Sequence, residues 1–304
     1  MKKILYLNLT ILILFKTLVP MVINVESRRI NDKKLIDYTS SYCRNFINSF
    51  LKKQNLKISI DTLTIKIAHN KQEYTNFTKT PLPDWSEAVS IFPQNLIVIK
   101  SPEFAHNNLS EYTRVLRHEI IHMLQNSIAP LNIFPSWFNE GIAKYYSEDL
   151  RISDKIIIAR AIASKQLIKM SDLEKFLTMN PEQARLAYEE SATIIEFLVH
   201  IFDDQTVWKI VELSKNLKVF GLAFQNVTGL NLEEFEDLWI KYLDKYYKKL
   251  LYFDINRVIW VILPLLTIII FITIKFRNKI AKLKSHEDEN EISDMYNNYL
   301  DTVE

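Results

Sequence analysis

The sequence predicts an α+β domain, with a small N-terminal mixed sheet, a helical C-terminal half and a C-terminal transmembrane helix. Three observations predict it. Apolar and β-branched residues alternate or run together between Ile58 and Lys100, the pattern of short strands. Apolar residues then recur at helical spacing through most of the chain as far as Tyr247. Val258 to Ile274 is an apolar run without a charge, bounded by Arg257 and Lys275 and long enough to span a bilayer. With 304 residues, 48% of them hydrophobic, there is material for one sizeable domain plus membrane elements. The net charge of +2 gives no reason to expect nucleic acid as a partner. Abundant Ile, Lys and Asn fits an AT-rich bacterial genome.

Residues 1–23 read as a signal peptide or an N-terminal membrane anchor. Lys2 and Lys3 form a positive start, Ile4 to Phe15 an apolar stretch, and apolar character resumes from Thr17 to Ile23 after Lys16. Either reading puts the following domain, 24–250, outside the cytoplasm. Arg29 to Asn55 has helical spacing in Ile30, Leu35, Ile36, Tyr42, Phe46, Ile47 and Phe50. Its lone Cys43 has no partner for an intramolecular disulfide and reads as a small buried apolar residue. Ile58 to Asn70 reads as strand, Pro81 and Pro83 mark a connection, and Ala88 to Lys100 gives two more strands around Pro93.

The next segment carries the chemistry. Asn108-Leu109-Ser110-Glu111 has the form of a capping box, and Tyr112, Val115, Leu116, Ile120 and Met123 give the helix that follows a buried stripe. On that helix His118 and His122 stand four residues apart, one turn apart on one face. Two imidazoles so placed can each give a ring nitrogen to one Zn²⁺ at about 2.0–2.1 Å. Glu119 projects beside such a metal and can accept a proton from its water. A catalytic zinc takes three protein ligands and keeps one position open. Glu140, at the start of a second apolar helical stretch, is the natural third ligand. One zinc per chain is the expectation.

His118-Glu119-Ile120-Ile121-His122 together with Trp137-Phe138-Asn139-Glu140-Gly141-Ile142-Ala143 resembles the gluzincin peptidases. The closest likeness is to the membrane-associated peptidase MA-like group, related to the aminopeptidase-N and thermolysin types. The likeness continues through Tyr188-Glu189-Glu190-Ser191 and from Leu222-Ala223-Phe224 to Trp239, covering roughly residues 60–245. It implies His118, His122 and Glu140 as zinc ligands, Glu119 as the catalytic carboxylate, and a peptide or protein as substrate. It also implies that the strand Leu96-Ile97-Val98-Ile99 is the sheet edge on which an extended peptide is laid, the alternative being an ordinary core strand. The chain departs from the pattern in three places. The loop between His122 and Glu140 is slightly shorter than in aminopeptidases. The Gly-x-Met-Glu-Asn segment that holds a free substrate amine is absent. Lys144 stands where a thermolysin-like chain carries an acidic residue.

Further along, Asp154 to Asn180 reads as helices with a start at Ser171-Asp172-Leu173, and Pro181 to Phe202 as another helix. In the resembled family a tyrosine of this segment faces the metal, which implies that role for Tyr188. A neutral phenol can donate a hydrogen bond to the oxyanion of a tetrahedral intermediate. The alternatives are that Tyr188 is an amphipathic core residue, or that Tyr145 or Tyr146 substitutes for it. His200, among Phe197, Leu198, Ile201 and Phe202, reads as a satisfied core histidine. Val207 to Leu217 and Leu232 to Tyr247 complete the helical half, with Trp208, Phe235 and Trp239 in core positions.

Lys275, Arg277, Lys279, Lys282 and Lys284 follow the apolar run Val258 to Ile274, which places residues 275–304 in the cytoplasm and 24–256 outside it. The last twenty residues read as an acidic, solvated tail with room for a short helix at Ile292 to Leu300. Two competing functions use the same residues: a membrane-anchored scaffold that keeps the fold without turnover, and a zinc hydrolase of another amide or an ester. The intact Glu119 argues against the first. The sequence leaves the oligomeric state open.

Overall fold

The structure, a computed structural model, describes residues 21–83, 85–253 and 255–301. The sheet is built from the first hundred residues. Strand β1 (Val22–Ser27) leads through helix α1 (Lys33–Gln54) to β2 (Thr62–Ala68), and helix α2 (Lys71–Thr78) follows. Then come β3 (Ala88–Ile91) and β4 (Leu96–Lys100), joined by a 3-10 turn through Pro93 and left-handed Asn95. The strand order is β1-β2-β4-β3, with β3 alone antiparallel, so the sheet is mixed.

That order corrects one expectation. Leu96 to Ile99 is not the edge: all four residues are buried, and β4 runs between β2 and β3. An uninterrupted apolar run is what a strand covered on both faces requires. The edges are β1 and β3, and the residues of β3 are all half-buried. The proposed signal peptide or anchor falls mostly on residues 1–20, outside the described part. Its last residues, Val22 and Ile23, pair with Thr62 and Leu63 in the sheet.

Helix α1 covers one face of the sheet. Tyr38, Tyr42, Phe46 and Phe50, spaced four apart, stack in a row, and Phe50 meets Tyr146 and Trp208 edge-on. Cys43 is fully buried in this layer, and burial pushes its thiol up to about 12. The rest is helical: α3 (Pro102–Ala105), α4 (Leu109–Ile128), α5 (Ser136–Tyr146) and α6 (Ile152–Ser164). After a 3-10 segment at Leu173–Thr178 come α7 (Pro181–Ile201), α8 (Asp204–Leu217), α9 (Phe220–Thr228) and α10 (Leu232–Tyr246). Trp208, Phe235 and Trp239 are fully buried, as their spacing predicts.

A short helical segment, Lys248–Phe253, precedes α11, Ile255–Asp301, 47 residues without interruption despite Pro264. Within it Ile259–Lys282 is the one stretch among the described residues long and apolar enough to cross a membrane, and none of it is buried. The helix passes through 292–300 continuously, so the tail carries no separate short helix.

Candidate metal centre and cleft

Helix α4 is built to carry its polar face into the interior. Asn108 Oδ1 accepts from the Glu111 amide at 2.9 Å, satisfying one of the free N–H groups of the first turn. The Glu111 carboxylate does not close the box but pairs with Arg114 and Arg151. Tyr112, Leu116, Ile120 and Met123 are buried, and Tyr112 Oη lies 3.0 Å from Thr39 Oγ1. Val115 instead lines the cleft.

His118 and His122 project from this helix with their rings nearly perpendicular and centroids 4.8 Å apart. Helix α5 brings Glu140 against them. The three facing atoms form a triangle: Nε2 to Nε2 at 3.1 Å, His118 Nε2 to Glu140 Oε2 at 3.3 Å, and His122 Nε2 to Glu140 Oε2 at 3.6 Å. A tetrahedral ion with bonds of about 2.0–2.1 Å requires ligand separations of about 3.3–3.4 Å. The observed edges bracket that length, and two imidazoles with a carboxylate are a donor set suited to zinc. The group can hold a metal ion. Its electrostatics point the same way. Burial alone would lower the pKa of the His122 imidazole, but the Glu140 carboxylate outweighs it and raises it. Burial alone would raise that of Glu140, yet His122 and the hydrogen bond from His118 hold it well below the usual carboxylate range.

Three local devices fix Glu140. Pro135 offers no side-chain cap to α5, and the Glu174 carboxylate accepts from the Ser136 amide instead, at 3.1 Å. Asn139 accepts from buried Gln125 on α4 at 2.8 Å and donates to the Leu131 carbonyl at 3.0 Å, tying α5 to α4 and to the loop between. Gly141 lets α5 press on α7, since a Cβ there would stand 2.4 Å from the Ser191 carbonyl oxygen and 2.9 Å from Ile195 Cγ1.

Glu119 is buried beside the triangle. Ser90 on edge strand β3 donates to its Oε2 at 2.6 Å, so the strand and the carboxylate are held together. Ser90 and Asn139 were not singled out in the sequence. The only signal for Ser90 is a hydroxyl between Val89 and Ile91 in an otherwise apolar strand. Tyr188, half-buried on α7, lines the same cleft, which encloses about 560 Å³ between β3, α4, α5 and α7. Burial, then the charges of Glu140 and Glu119, raise its phenol's pKa, so it is neutral and able to donate.

Other candidates lie elsewhere. Tyr146 is core, donating to Asp204 and packing on Trp208, and Tyr145 lies beside it. Neither lines the cleft. His200 is not a core residue: it is exposed in the last turn of α7, its ring tilted against Tyr242 and edge-on to Tyr246. Its neighbours Phe197 and Leu198 take the inward face and leave it outside. Lys144 is buried, 3.2 Å from Glu189 and 3.4 Å from Asp149. Two of its neighbours are therefore acidic.

Among known families, the model described as the Peptidase MA superfamily matches residues 52–245. No curated protein matches the chain.

Proposed function

This chain belongs to the Peptidase MA superfamily, and on that footing we propose that it is a membrane-anchored, zinc-dependent peptidase with Glu119 as general base. The fold is that of a metallopeptidase, and its His-His-Glu group is able to bind metal. The observation that carries the finer reading is the triangle of His118, His122 and Glu140, at separations suited to a tetrahedral ion, with the Glu119 carboxylate beside it.

In this reading His118, His122 and Glu140 hold the ion. Zinc bound there would acidify a water molecule and polarise the scissile carbonyl. The unpaired edge of β3 offers N–H and C=O groups to an extended substrate, which fixes the peptide's direction across the cleft. Glu119 takes the proton of the attacking water and passes it to the departing amine nitrogen. Ser90 holds Glu119 Oε2, leaving the other oxygen for the proton. Tyr188 donates its hydroxyl to the oxyanion of the tetrahedral intermediate. Helix α11 anchors the domain in a membrane, and the basic run after the span favours an extracytoplasmic domain with a cytoplasmic C-terminus.

Elemental analysis of the purified protein beside His118→Ala tests the centre. One zinc per chain in the wild type, lost in the variant, is the expected result. A folded wild type that takes up no zinc on incubation with the metal would turn the reading toward a scaffold that keeps the fold without turnover.

A further inference from the structure

The surface where α7, α10 and the segment Lys248–Phe253 come together mixes exposed apolar groups with tyrosine and lysine. At the end of α7, Ile201 and Phe202 are 38% and 39% exposed. The His200 ring beside them lies 5.1 Å from that of Tyr242 and 5.8 Å from that of Tyr246, so the ends of α7 and α10 present one face. Tyr246 carries two ammonium groups over its ring, Lys245 Nζ at 5.0 Å and Lys249 Nζ at 5.6 Å from the centroid. Tyr252, in the segment that follows, is 82% exposed. The charge is one-sided. Residues 241–249 hold Lys241, Lys245, Lys248 and Lys249 against a single acid, Asp244, which pairs with Lys248. Asp203, next to Phe202, is taken up in capping α8, where it accepts from the Thr206 amide at 2.7 Å. Aromatic rings with a polar edge, set among lysines, match the headgroup layer of a bilayer, where rings lie half in water and cations meet lipid phosphates.

Chain length brings this face to the lipid. The segment ends at Phe253 and the apolar span begins at Ile259. A connection of that length covers about 9 Å as helix and about 20 Å fully extended. The headgroup layer is itself about 5–7 Å deep on each side. Because the segment packs on α6 and α10, the domain is held close with it. We propose that the face formed by the C-terminal ends of α7 and α10 rests on the headgroups of an anionic lipid surface, through Ile201, Phe202, Tyr246 and the lysines around them. The proposal rests on the reading of α11 as a membrane anchor and adds a second contact, which fixes the side of the domain that faces the bilayer. It also sets the height of the cleft. Helix α7 runs from Tyr188 in the cleft to His200 in the face, about 18 Å of helix, so the cleft stands within about that distance of the headgroups.

The test places the full-length chain in bilayer discs containing anionic lipid, with a fluorescence quencher on some of the headgroups. A dye is attached to Ile201→Cys and, separately, to Ile30→Cys. The wild type, whose one thiol is the buried Cys43, gives the labelling background. Ile30 is 99% exposed and lies beyond the far end of α1, about 30 Å of helix from Lys53, which pairs with Asp204 close to the face. The dye at position 201 should lose most of its emission, and the dye at position 30 should keep it. Lys245→Glu with Lys249→Glu touches neither the cleft nor the span, and should restore emission at position 201. Melting of each variant checks that it is folded. Discs with the quencher in the acyl chains test the anchor through a dye at Ile268→Cys, which should be quenched. With that dye quenched, any of three results overturns the proposal while the anchor stands: full emission at position 201, equal loss at positions 201 and 30, or quenching at 201 that the lysine reversal leaves unchanged. An unquenched dye at position 268 overturns the anchor and this proposal with it.

Discussion

At the scale of single residues, the proposed function rests on carboxylates with different surroundings. Glu140 faces two imidazoles and is held ionised, while Glu119 has a serine hydroxyl on one oxygen. Glu119→Gln keeps the shape and the Ser90 contact but cannot accept a proton. It should retain metal and lose peptide cleavage by about 10²–10⁴-fold. Undiminished turnover in that variant would remove Glu119 from the base role. Tyr188→Phe removes one hydroxyl from the cleft. Turnover should fall by about 10²–10³-fold, the loss typical of one oxyanion donor, with metal content unchanged. A rate equal to wild type would return Tyr188 to a packing role. Both comparisons use the same peptide pool and the same zinc assay.

At the scale of elements, the close approach of α5 and α7 decides where Glu140 and Tyr188 stand relative to one another. Gly141→Ala would drive a methyl into the Ser191 carbonyl, a backbone group that moves only with its helix. Overpacking of this kind costs about 1–3 kcal/mol, and a lower denaturation midpoint together with weakened zinc binding is expected. Unchanged values in both would mean the helices part without consequence. The same elements explain what the sequence disclosed. Helix α4 was legible because its cap, its apolar stripe and its histidine pair all lie within one helix and obey one period. Helices α1, α7, α8 and α10 were legible for the same reason. The edge of the sheet was misread because strand order depends on pairings between distant segments, which no local pattern encodes. The apolar run of β4 did carry the correct signal, that of an interior strand. Ser90 escaped notice because its partner comes from another element: it meets a carboxylate 29 residues away. Metal ligands announce themselves by spacing, whereas the groups that orient them are set by tertiary structure.

For the whole molecule, the interior holds an unusual charge balance. Lys144 faces Glu189, Asp149 and Asp154, and their combined field keeps the lysine charged, raising its pKa against the effect of burial. Burial, with Asp154 and Asp149 adding to it, outweighs the opposing Lys144 and pushes Glu189 from 4.5 to about 7, while Arg114 and Arg185 pair with the two aspartates. The folded state therefore holds a proton that the unfolded chain releases. The stability contributed by that proton is complete below pH 4.5 and is lost as pH rises toward 7. Melting temperatures at pH 5, 6 and 7 should fall more steeply for the wild type than for Glu189→Gln. Parallel profiles would mean that Glu189 is ionised throughout.

The join between the domain and α11 is short. The segment Lys248–Phe253 ends one residue before α11 begins at Ile255. With α11 in a bilayer, the cleft hangs on a leash too short to sweep far from the lipid. Proteins anchored in the same membrane would meet it by lateral diffusion at a high local concentration. Peptides in bulk solution would meet it only by collision from one side.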